Sequence, residues 1–266
     1  MRFLKKKEET YEPIESLIYG GEDYHIYYMT AKDRAVAGLM GIGVGTVVSW
    51  LFFKSIVVTM IAAAAVAVLA QGIYQESRQK KRKKELLLQF KDLLESLTSS
   101  YATGKNTLDS FRDAWGDLEQ IYGERADITT ELAIIVTGME NNIKVEDLLT
   151  NFAQRSGLED IASFADVFRV SLRQGANIQD IIASTRDVIN DKIEIEMEIQ
   201  TIIAGNKNEL NIMMIMPLVI LVSIGGLGSD MTAASNTPVN VVIKLIALGM
   251  FYLAYYLGRK FTNIKV

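Results

Sequence analysis

The chain has 266 residues, a formal net charge of −4, one histidine and no cysteine, and 49% of its residues are hydrophobic. The absence of cysteine excludes disulfides, thiolate metal sites and a cysteine nucleophile, and a single histidine excludes a multi-histidine metal cluster. The acidic balance argues against a dedicated nucleic-acid-binding protein, since such proteins carry a basic surface. We therefore expect a mechanical or adhesive role without a cofactor.

Four segments of the sequence are unusually apolar. Residues 35–53 and 56–74 are each 19 residues long without a charge, and residues 212–228 form another uncharged segment of 17. Residues 239–258 contain one charge, Lys244. A helix that crosses the hydrocarbon core of a bilayer needs about 20 apolar residues and satisfies its own backbone polar groups. The four segments are predicted to be transmembrane helices, and the alternative is buried helices of a soluble core.

The first two apolar segments are separated only by Lys54 and Ser55. One continuous helix over both would be about 60 Å long, roughly twice the thickness of the hydrocarbon core. We therefore predict a helical hairpin with its turn at a membrane interface. Four small residues on one face of the first helix are predicted to form a helix-packing surface, which would also suit oligomer formation. They are Ala37, Gly41, Gly45 and Ser49.

Basic residues are concentrated at one end of the apolar segments, whereas the turn of the first hairpin has only Lys54 and the loop 229–238 has none. Lys32 and Arg34 precede the first segment, and Arg259 and Lys260 follow the fourth. Because cytoplasmic flanks carry an excess of Lys and Arg, both termini and residues 75–208 are predicted to be cytoplasmic. Six further basic residues follow the second segment and are predicted to contact anionic lipid, although a nucleic-acid or localisation role is an alternative. This basic collar consists of Arg78, Lys80, Lys81, Arg82, Lys83 and Lys84.

The region after the collar reads as an acidic helical domain. Residues 85–208 contain 22 acidic and 11 basic residues, a net charge of −11. Apolar residues recur at helical spacing, and no proline occurs between Pro13 and Pro217, which favours a helix bundle. Residues 192–199 alternate like a strand, but an isolated strand would have no partner, so we predict helix. Such an acidic surface suits a basic protein partner.

A short turn element occurs twice within this domain. Gly104 is followed by Asn106, and Gly175 is followed by Asn177. The glycine can end one helix in the left-handed conformation, and the asparagine two residues later can cap the next helix. Gly138 is interpreted as a looser third instance. The domain is therefore predicted to be built from similar helix–turn–helix units.

Three isolated residues that could have a chemical or mechanical role are interpreted as structural. His25, in a polar stretch, is predicted to be an ordinary surface residue. Lys244 lies near the end of its segment, so its ammonium group is expected to reach the membrane interface. Pro217 is predicted to kink the third apolar helix. No catalytic, cofactor-binding or metal-ligating residue is predicted, and the chain is not expected to be an enzyme.

The predicted elements follow one another as a membrane hairpin, a basic collar, one helical domain and two further membrane helices, from about residue 35 to the C-terminus. The local stretches of interest within this order are residues 90–97, 102–106, 152–157, 164–165, 171–178 and the run into Pro217. This order and these stretches resemble the type II secretion system F domain family, and most closely the platform proteins of tight-adherence (Flp-type) pili. The stretch 116–127 is more acidic than that family's pattern.

This resemblance implies an all-α polytopic protein of the cytoplasmic (inner) membrane with four transmembrane helices and a cytoplasmic helical-bundle F domain. It implies a non-enzymatic platform whose F domain docks a secretion or pilus ATPase. The membrane helices would contact pilin subunits and a paralogous platform protein, within a homo- or hetero-oligomer. The domains would be residues 1–34 (a cytoplasmic segment), 35–74 (a transmembrane hairpin), 75–208 (the F domain, with the collar at 78–84) and 209–266 (a second hairpin with a short cytoplasmic tail).

Two other functions are open from the sequence. A small transporter or channel would need polar residues along a pore, whereas Lys244 is the only charged residue in the four segments. A membrane-anchored signalling adaptor that senses an external ligand would need an outer domain, whereas the predicted outer loops contain two and ten residues.

Overall fold

The computed structural model describes residues 13–18, 20–53, 56–174 and 177–225, together with 246, 249–250, 253–254 and 256–258. All regular structure in these residues is helical, and no strand occurs among them, so the predicted all-α class is confirmed for this part of the chain. The helices are α1 (Ala31–Phe53), α2 (Ile56–Ala102), α3 (Thr107–Tyr122), α4 (Asp127–Glu140), α5 (Val145–Ser156), α6 (Glu159–Gln174) and α7 (Ile178–Gly225).

The chain divides into two compact units. One unit, which we call the body, comprises Met1–Tyr28 and Gln75–Lys192, and the other, the hairpin unit, comprises Met29–Tyr74 and Ile193–Val266. The sequence suggested a separate N-terminal segment over residues 1–34. In the structure, the described part of that segment up to Tyr28 folds with the body.

The core of the body is built around five phenylalanine side chains. Phe90 of α2 lies 5.5 Å from Phe164 of α6 and 6.3 Å from Phe152 of α5, measured between ring centroids. Phe168 packs against Phe164 at 5.4 Å with the rings tilted by 40°, and it meets Phe111 of α3 edge to face at 6.4 Å. All five are buried. The rings come from α2, α3, α5 and α6, so their packing joins four helices. Full burial of one such ring stabilises the fold by about 1.5–3 kcal/mol.

The first predicted turn element is present. Gly104 has a φ of +79°, and the side chain of Asn106 accepts a hydrogen bond from the backbone N–H of Asp109 at 2.9 Å, which caps α3. In the second element, the side chain of Asn177 accepts from the N–H of Gln179 at 3.2 Å, at the start of α7. Gly175 lies outside the described residues.

Gly138 does not end a helix, so the interpretation of a third turn element is wrong. It lies inside α4, which continues to Glu140, and the left-handed residue of the following turn is Asn142, with a φ of +62°. A Cβ atom at Gly138 would lie 2.6 Å from Cδ2 of Leu148. The glycine therefore allows α5 to pack closely against α4.

Residues 192–199, whose apolar and polar side chains alternate as in a strand, are helical, as predicted, since they lie within α7. Pro217 is also inside α7, which continues to Gly225. The kink at Pro217 stays a prediction.

The small residues of α1 pack against α2. A Cβ atom at Gly41 would lie 2.6 Å from Cα of Ala67, and one at Gly45 would lie 2.8 Å from Cα of Ala63. Ala37 and Ser49 on the same face are buried. Contacts that advance by four residues in α1 and retreat by four in α2 define an antiparallel pair. This face is occupied within the chain, so oligomer formation would need a different surface.

Among the described residues, one helix, α2, is long and apolar enough to cross a membrane, and only 11% of its apolar window is buried. The third predicted span runs along α7 and continues into residues 226–228, which are outside the described residues. Most of the fourth span is also outside them, as are the loop 229–238, Lys244 and the tail with Arg259 and Lys260. The described structure therefore provides one candidate span.

Replacement of Asn106 by alanine is expected to lower the free energy of unfolding by about 1 kcal/mol, because the N–H of Asp109 loses its cap. Urea unfolding of the purified full chain in mild detergent, followed by circular dichroism, measures this change. Gln120→Ala, an exposed position of the same helix, is the matched control. Equal destabilisation by both variants would contradict the capping role.

Candidate functional site

The residues that precede α1 form an ordered segment on the surface of the body. We call residues 13–28, of which Tyr19 is not described, the N-terminal segment. Its anchor is Tyr24, whose side chain is only 3% exposed and whose N–H donates to the carbonyl of Arg155 at 3.0 Å. The amide of Gln79 donates to the carbonyl of Tyr24 at 3.2 Å, and that of Gln75 donates to the carbonyl of Tyr27 at 3.0 Å. These contacts tie the segment to α2 and α5.

A buried ion pair lies beneath this segment. Arg155, in the last turn of α5, and Glu131, in α4, have side chains that are 1% and 0% exposed. The guanidinium group binds both carboxylate oxygens, with Nη1 donating to Oε1 at 2.6 Å. Nη1 also donates to the carbonyl of Glu22 at 3.1 Å, and Nε donates to Oδ1 of Asn151 at 2.8 Å. A buried pair needs such additional hydrogen bonds to offset the cost of removing both charges from water.

Tyr24 completes the hydrogen bonding of the buried carboxylate. Its hydroxyl donates to Oε1 of Glu131 at 3.0 Å. Burial, together with the carboxylates of Glu131 and Asp127, raises the pKa of Tyr24, so the phenol stays a neutral donor. The guanidinium carbon of Arg82 lies 4.7 Å from the centroid of the Tyr24 ring, within range of a cation–π interaction.

Arg82 links α2 to both the N-terminal segment and α4. Its Nε donates to Oδ2 of Asp127 at 2.8 Å, and Nη2 donates to Oε2 of Glu22 at 2.7 Å. These hydrogen bonds, first of all those with Asp127, raise the pKa of Arg82. We use the term ion-pair cluster for the six residues that these contacts connect. They are Glu22, Tyr24, Arg82, Asp127, Glu131 and Arg155.

The six residues of the predicted basic collar differ in their contacts and in their exposure to solvent. Arg82 departs from the expectation that it contacts lipid, because its side chain is engaged in the ion-pair cluster. Lys83 packs beside Gly157, and partial burial lowers the pKa of its ammonium group. Lys80 forms an exposed i,i+4 ion pair with Glu76. The side chains of Arg78 and Lys81 are exposed, and Lys84 is half-exposed.

Two glycines allow the N-terminal segment to approach the body. A Cβ atom at Gly21 would lie 2.6 Å from Nη1 of Arg155. Gly157 ends α5 with a φ of +60°, and a side chain there would overlap the imidazole of His25. His25 is therefore not an ordinary surface residue, since its Nδ1 also lies 2.9 Å from Oδ1 of Asp23. The imidazole of His25 packs over the C-terminal end of α5. The polar residues around His25 in the sequence do not reveal this contact.

The ion-pair cluster connects separate elements of the body to one another. Its ionisable groups bind one another, and together they join α2, α4, α5 and the N-terminal segment. No group of three or more His, Asp or Glu residues that could hold a metal ion occurs among the residues that the structure describes. The arrangement can therefore hold four parts of the chain together.

Sequence reasoning missed Tyr24, Glu131 and Arg155. One signal was present, because Glu131 is the only charged residue between Ile128 and Met139. A single carboxylate within an apolar helical stretch indicates a buried, paired group. Its partners are not adjacent in sequence, so the pattern could identify the carboxylate but not the arginine or the tyrosine that binds it.

Comparison with protein-family models, with curated proteins and with solved structures finds no match for this chain.

Replacement of Arg155 by methionine is expected to lower the free energy of unfolding by about 3–5 kcal/mol, because Glu131 is left buried without its counter-charge. The double variant Arg155→Met/Glu131→Leu removes both charges and is expected to regain most of that loss. Chemical unfolding of the full chain in detergent measures both values. A double variant as unstable as the single one would show that the unpaired charge is not the cause.

Gly21→Ala is expected to release the N-terminal segment, because the added methyl group would overlap the guanidinium of Arg155. Hydrogen exchange followed by mass spectrometry should show faster exchange over residues 20–28 while the core helices stay protected. Gly116→Ala is the control, since nothing lies within 4 Å of a Cβ atom at Gly116. Unchanged exchange in Gly21→Ala would contradict the close approach.

Proposed function

We propose that this chain is a multi-pass platform protein of the cytoplasmic membrane, in a type II secretion or tight-adherence pilus machine. In this role, the body receives a cytoplasmic ATPase, and the membrane helices contact pilin subunits and a paralogous platform protein. The observation that carries the proposal is the structure of α2. This helix begins with an exposed apolar stretch and continues without interruption into Arg82 and the ion-pair cluster.

The pairing of α1 with α2 supports a membrane hairpin. The two helices are antiparallel in the register set by Gly41 and Gly45, and their outward side chains are large and apolar. Gln75, directly after the apolar stretch of α2, donates to the carbonyl of Tyr27, which precedes α1. If α2 crosses the bilayer, α1 crosses beside it, and residues on both sides of the pair return to the same face of the membrane. The exposed apolar residues of this pair include Leu39, Met40, Val44, Val47, Met60, Ile61, Val68 and Leu69.

The proposed orientation follows from the distribution of basic residues. Lys32 and Arg34 precede the apolar part of α1, and Arg78, Lys80 and Lys81 follow that of α2. An excess of Lys and Arg within a few turns of a span favours the cytoplasmic side. In the proposed topology, the body is cytoplasmic, and two further spans over 212–228 and 239–258 bring the C-terminus back to the cytoplasm.

The ion-pair cluster fits a platform that transmits movement. Contacts of Arg82 with Asp127 and Glu22 connect α2 to α4 and to the N-terminal segment. The buried pair of Arg155 with Glu131 joins α5 to α4 and is costly to break, so the bundle is held as one piece. A displacement of the bundle would then be passed to α2 through Arg82. In the proposed function, strokes of the ATPase move the body and, through α2, the helices that meet the pilins.

The topology is testable because the native chain contains no cysteine. A membrane-impermeant maleimide added to intact cells is expected to label Ser235→Cys, in the predicted outer loop, and not Ser163→Cys, on the exposed surface of α6. Permeabilised cells should label both variants. Labelling of Ser163→Cys in intact cells would overturn the cytoplasmic placement of the body.

The platform function predicts that deletion of this chain abolishes surface pili or secretion, and that the native chain restores them. Tagged native protein extracted in mild detergent should co-purify with a secretion-type ATPase. Arg82→Gln is expected to retain the ATPase but to fail in restoring assembly, because α2 is uncoupled from α4. Lys80→Gln removes the same charge from an exposed pair and should restore assembly fully. Absence of any secretion ATPase or sister platform protein would refute the function.

A further inference from the structure

An open groove of about 640 Å³ lies between α2 and the loop that joins α3 to α4. One wall is formed by Glu85 and Gln89 of α2, and the other by residues 122–127. The groove belongs entirely to the body and lies outside the contacts that hold the N-terminal segment, apart from sharing Asp127. Its second wall, residues 122–127, belongs to the acidic stretch 116–127.

The electrostatic character of the groove is set by carboxylates. Glu85 and Glu124 have exposed side chains and make no ion pair among the described residues. Asp92, which forms an ion pair with Lys91 at 3.2 Å, lies beside the groove and accepts a hydrogen bond from the hydroxyl of Tyr122. Burial and the Asp92 carboxylate raise the pKa of Tyr122 to about 12, so this hydroxyl is a neutral donor. Arg125 is the one basic residue of the groove lining.

Exposed apolar surface lies next to these carboxylates. Ile121 is 66% exposed and Tyr122 is 37% exposed, and both belong to the last turn of α3. Leu88, within one turn of Glu85 on α2, is also exposed. Exposed apolar area beside charged side chains is typical of a surface that binds another protein.

The shape of the groove is fixed by hydrogen bonds. Gly123 ends α3 with a φ of +84°, and its N–H donates to the carbonyl of Glu119 at 2.8 Å. The buried side chain of Gln89 accepts from the N–H of Ile128 at 3.2 Å, which caps the first turn of α4. Asp127 is held by Arg82. A preformed groove binds a partner without the cost of ordering its own walls.

We propose that this groove binds a basic amphipathic segment of a partner protein. Lysine or arginine side chains of that segment would meet Glu85 and Glu124, and an apolar side chain would cover Ile121 and Tyr122. The segment would bind whether or not the partner is the ATPase of the proposed function. An anionic lipid or a nucleic acid would be repelled by the same carboxylates.

A second copy of this chain fits the groove less well. Its basic collar offers the densest set of cations, but Arg82 is used within the ion-pair cluster and Lys83 packs beside Gly157. Self-association is therefore an outcome of the test and not the proposed occupant.

The binding test uses the full chain in nanodiscs of neutral phosphatidylcholine at low salt. The probe is a fluorescein-labelled 12-residue peptide of lysine and leucine with one apolar helical face, and a glutamate–leucine peptide of the same pattern is its control. Anisotropy should show binding of the lysine peptide only, beyond that seen with empty nanodiscs. No binding, or equal binding of the two peptides, would overturn the proposal.

Charge-neutral variants separate the groove from the diffuse acidity of the body. Glu85→Gln/Glu124→Gln is expected to weaken binding of the lysine peptide by about tenfold, because two ion pairs are lost. Asp166→Asn/Asp187→Asn removes two exposed charges from α6 and α7 and should change binding less than about twofold. Equal weakening by both double variants would show that overall charge, and not the groove, attracts the peptide.

The apolar surface beside the groove has its own pair of variants. Ile121→Ser should weaken binding of the lysine peptide, whereas Val170→Ser, at an exposed valine of α6, should not. Ile121→Cys exposed to an oxidant should stay monomeric, and a disulfide-linked dimer would identify the groove as a self-interface and overturn the proposal. Peptide binding without ATPase co-purification would refute only the platform function, and the reverse result would refute only the groove.

Discussion

The bidentate pair between Arg155 and Glu131 constrains more of this structure than any other described contact. Neither side chain reaches solvent, so each charge depends on partners supplied by the chain. The carbonyl of Glu22 and the hydroxyl of Tyr24 are two of those partners, and both come from the segment before α1. The fold of the bundle therefore includes residues that precede the α1–α2 hairpin in the sequence. Chain segments before and after that hairpin in the sequence belong to one body.

The α1–α2 hairpin, in the other unit, is packed through small side chains. Because Gly41 and Gly45 present no Cβ atom, the backbone of α2 approaches that of α1 at Ala67 and Ala63. This close approach depends on van der Waals contact, which works in lipid as well as in water. It also leaves large apolar side chains exposed on the outward faces of the pair.

The sequence predicted what depends on local pattern and failed where distant residues meet. Helical periodicity, the Asn106 cap and the small face of α1 all follow from residues within a few turns of one another. The contact of Tyr24 with Glu131 joins residues 107 positions apart, and no local pattern signals it. Gly138 was misread because a glycine that allows close helix packing looks, in sequence, like one that ends a helix. Arg82 was grouped with its basic neighbours because charge alone does not show which side chain finds a buried partner.

Asp127 connects the two surfaces of the body that carry the proposals. Both of its oxygens bind Arg82, and its side chain also lines the groove. Its charge is largely neutralised, so attraction for a basic segment depends on Glu85 and Glu124 instead. A cation that nevertheless reached Asp127 would draw it away from Arg82 and weaken the link between α2 and α4. Such coupling is reciprocal, because a firmer Arg82–Asp127 contact would disfavour a cation at Asp127 by the same free energy.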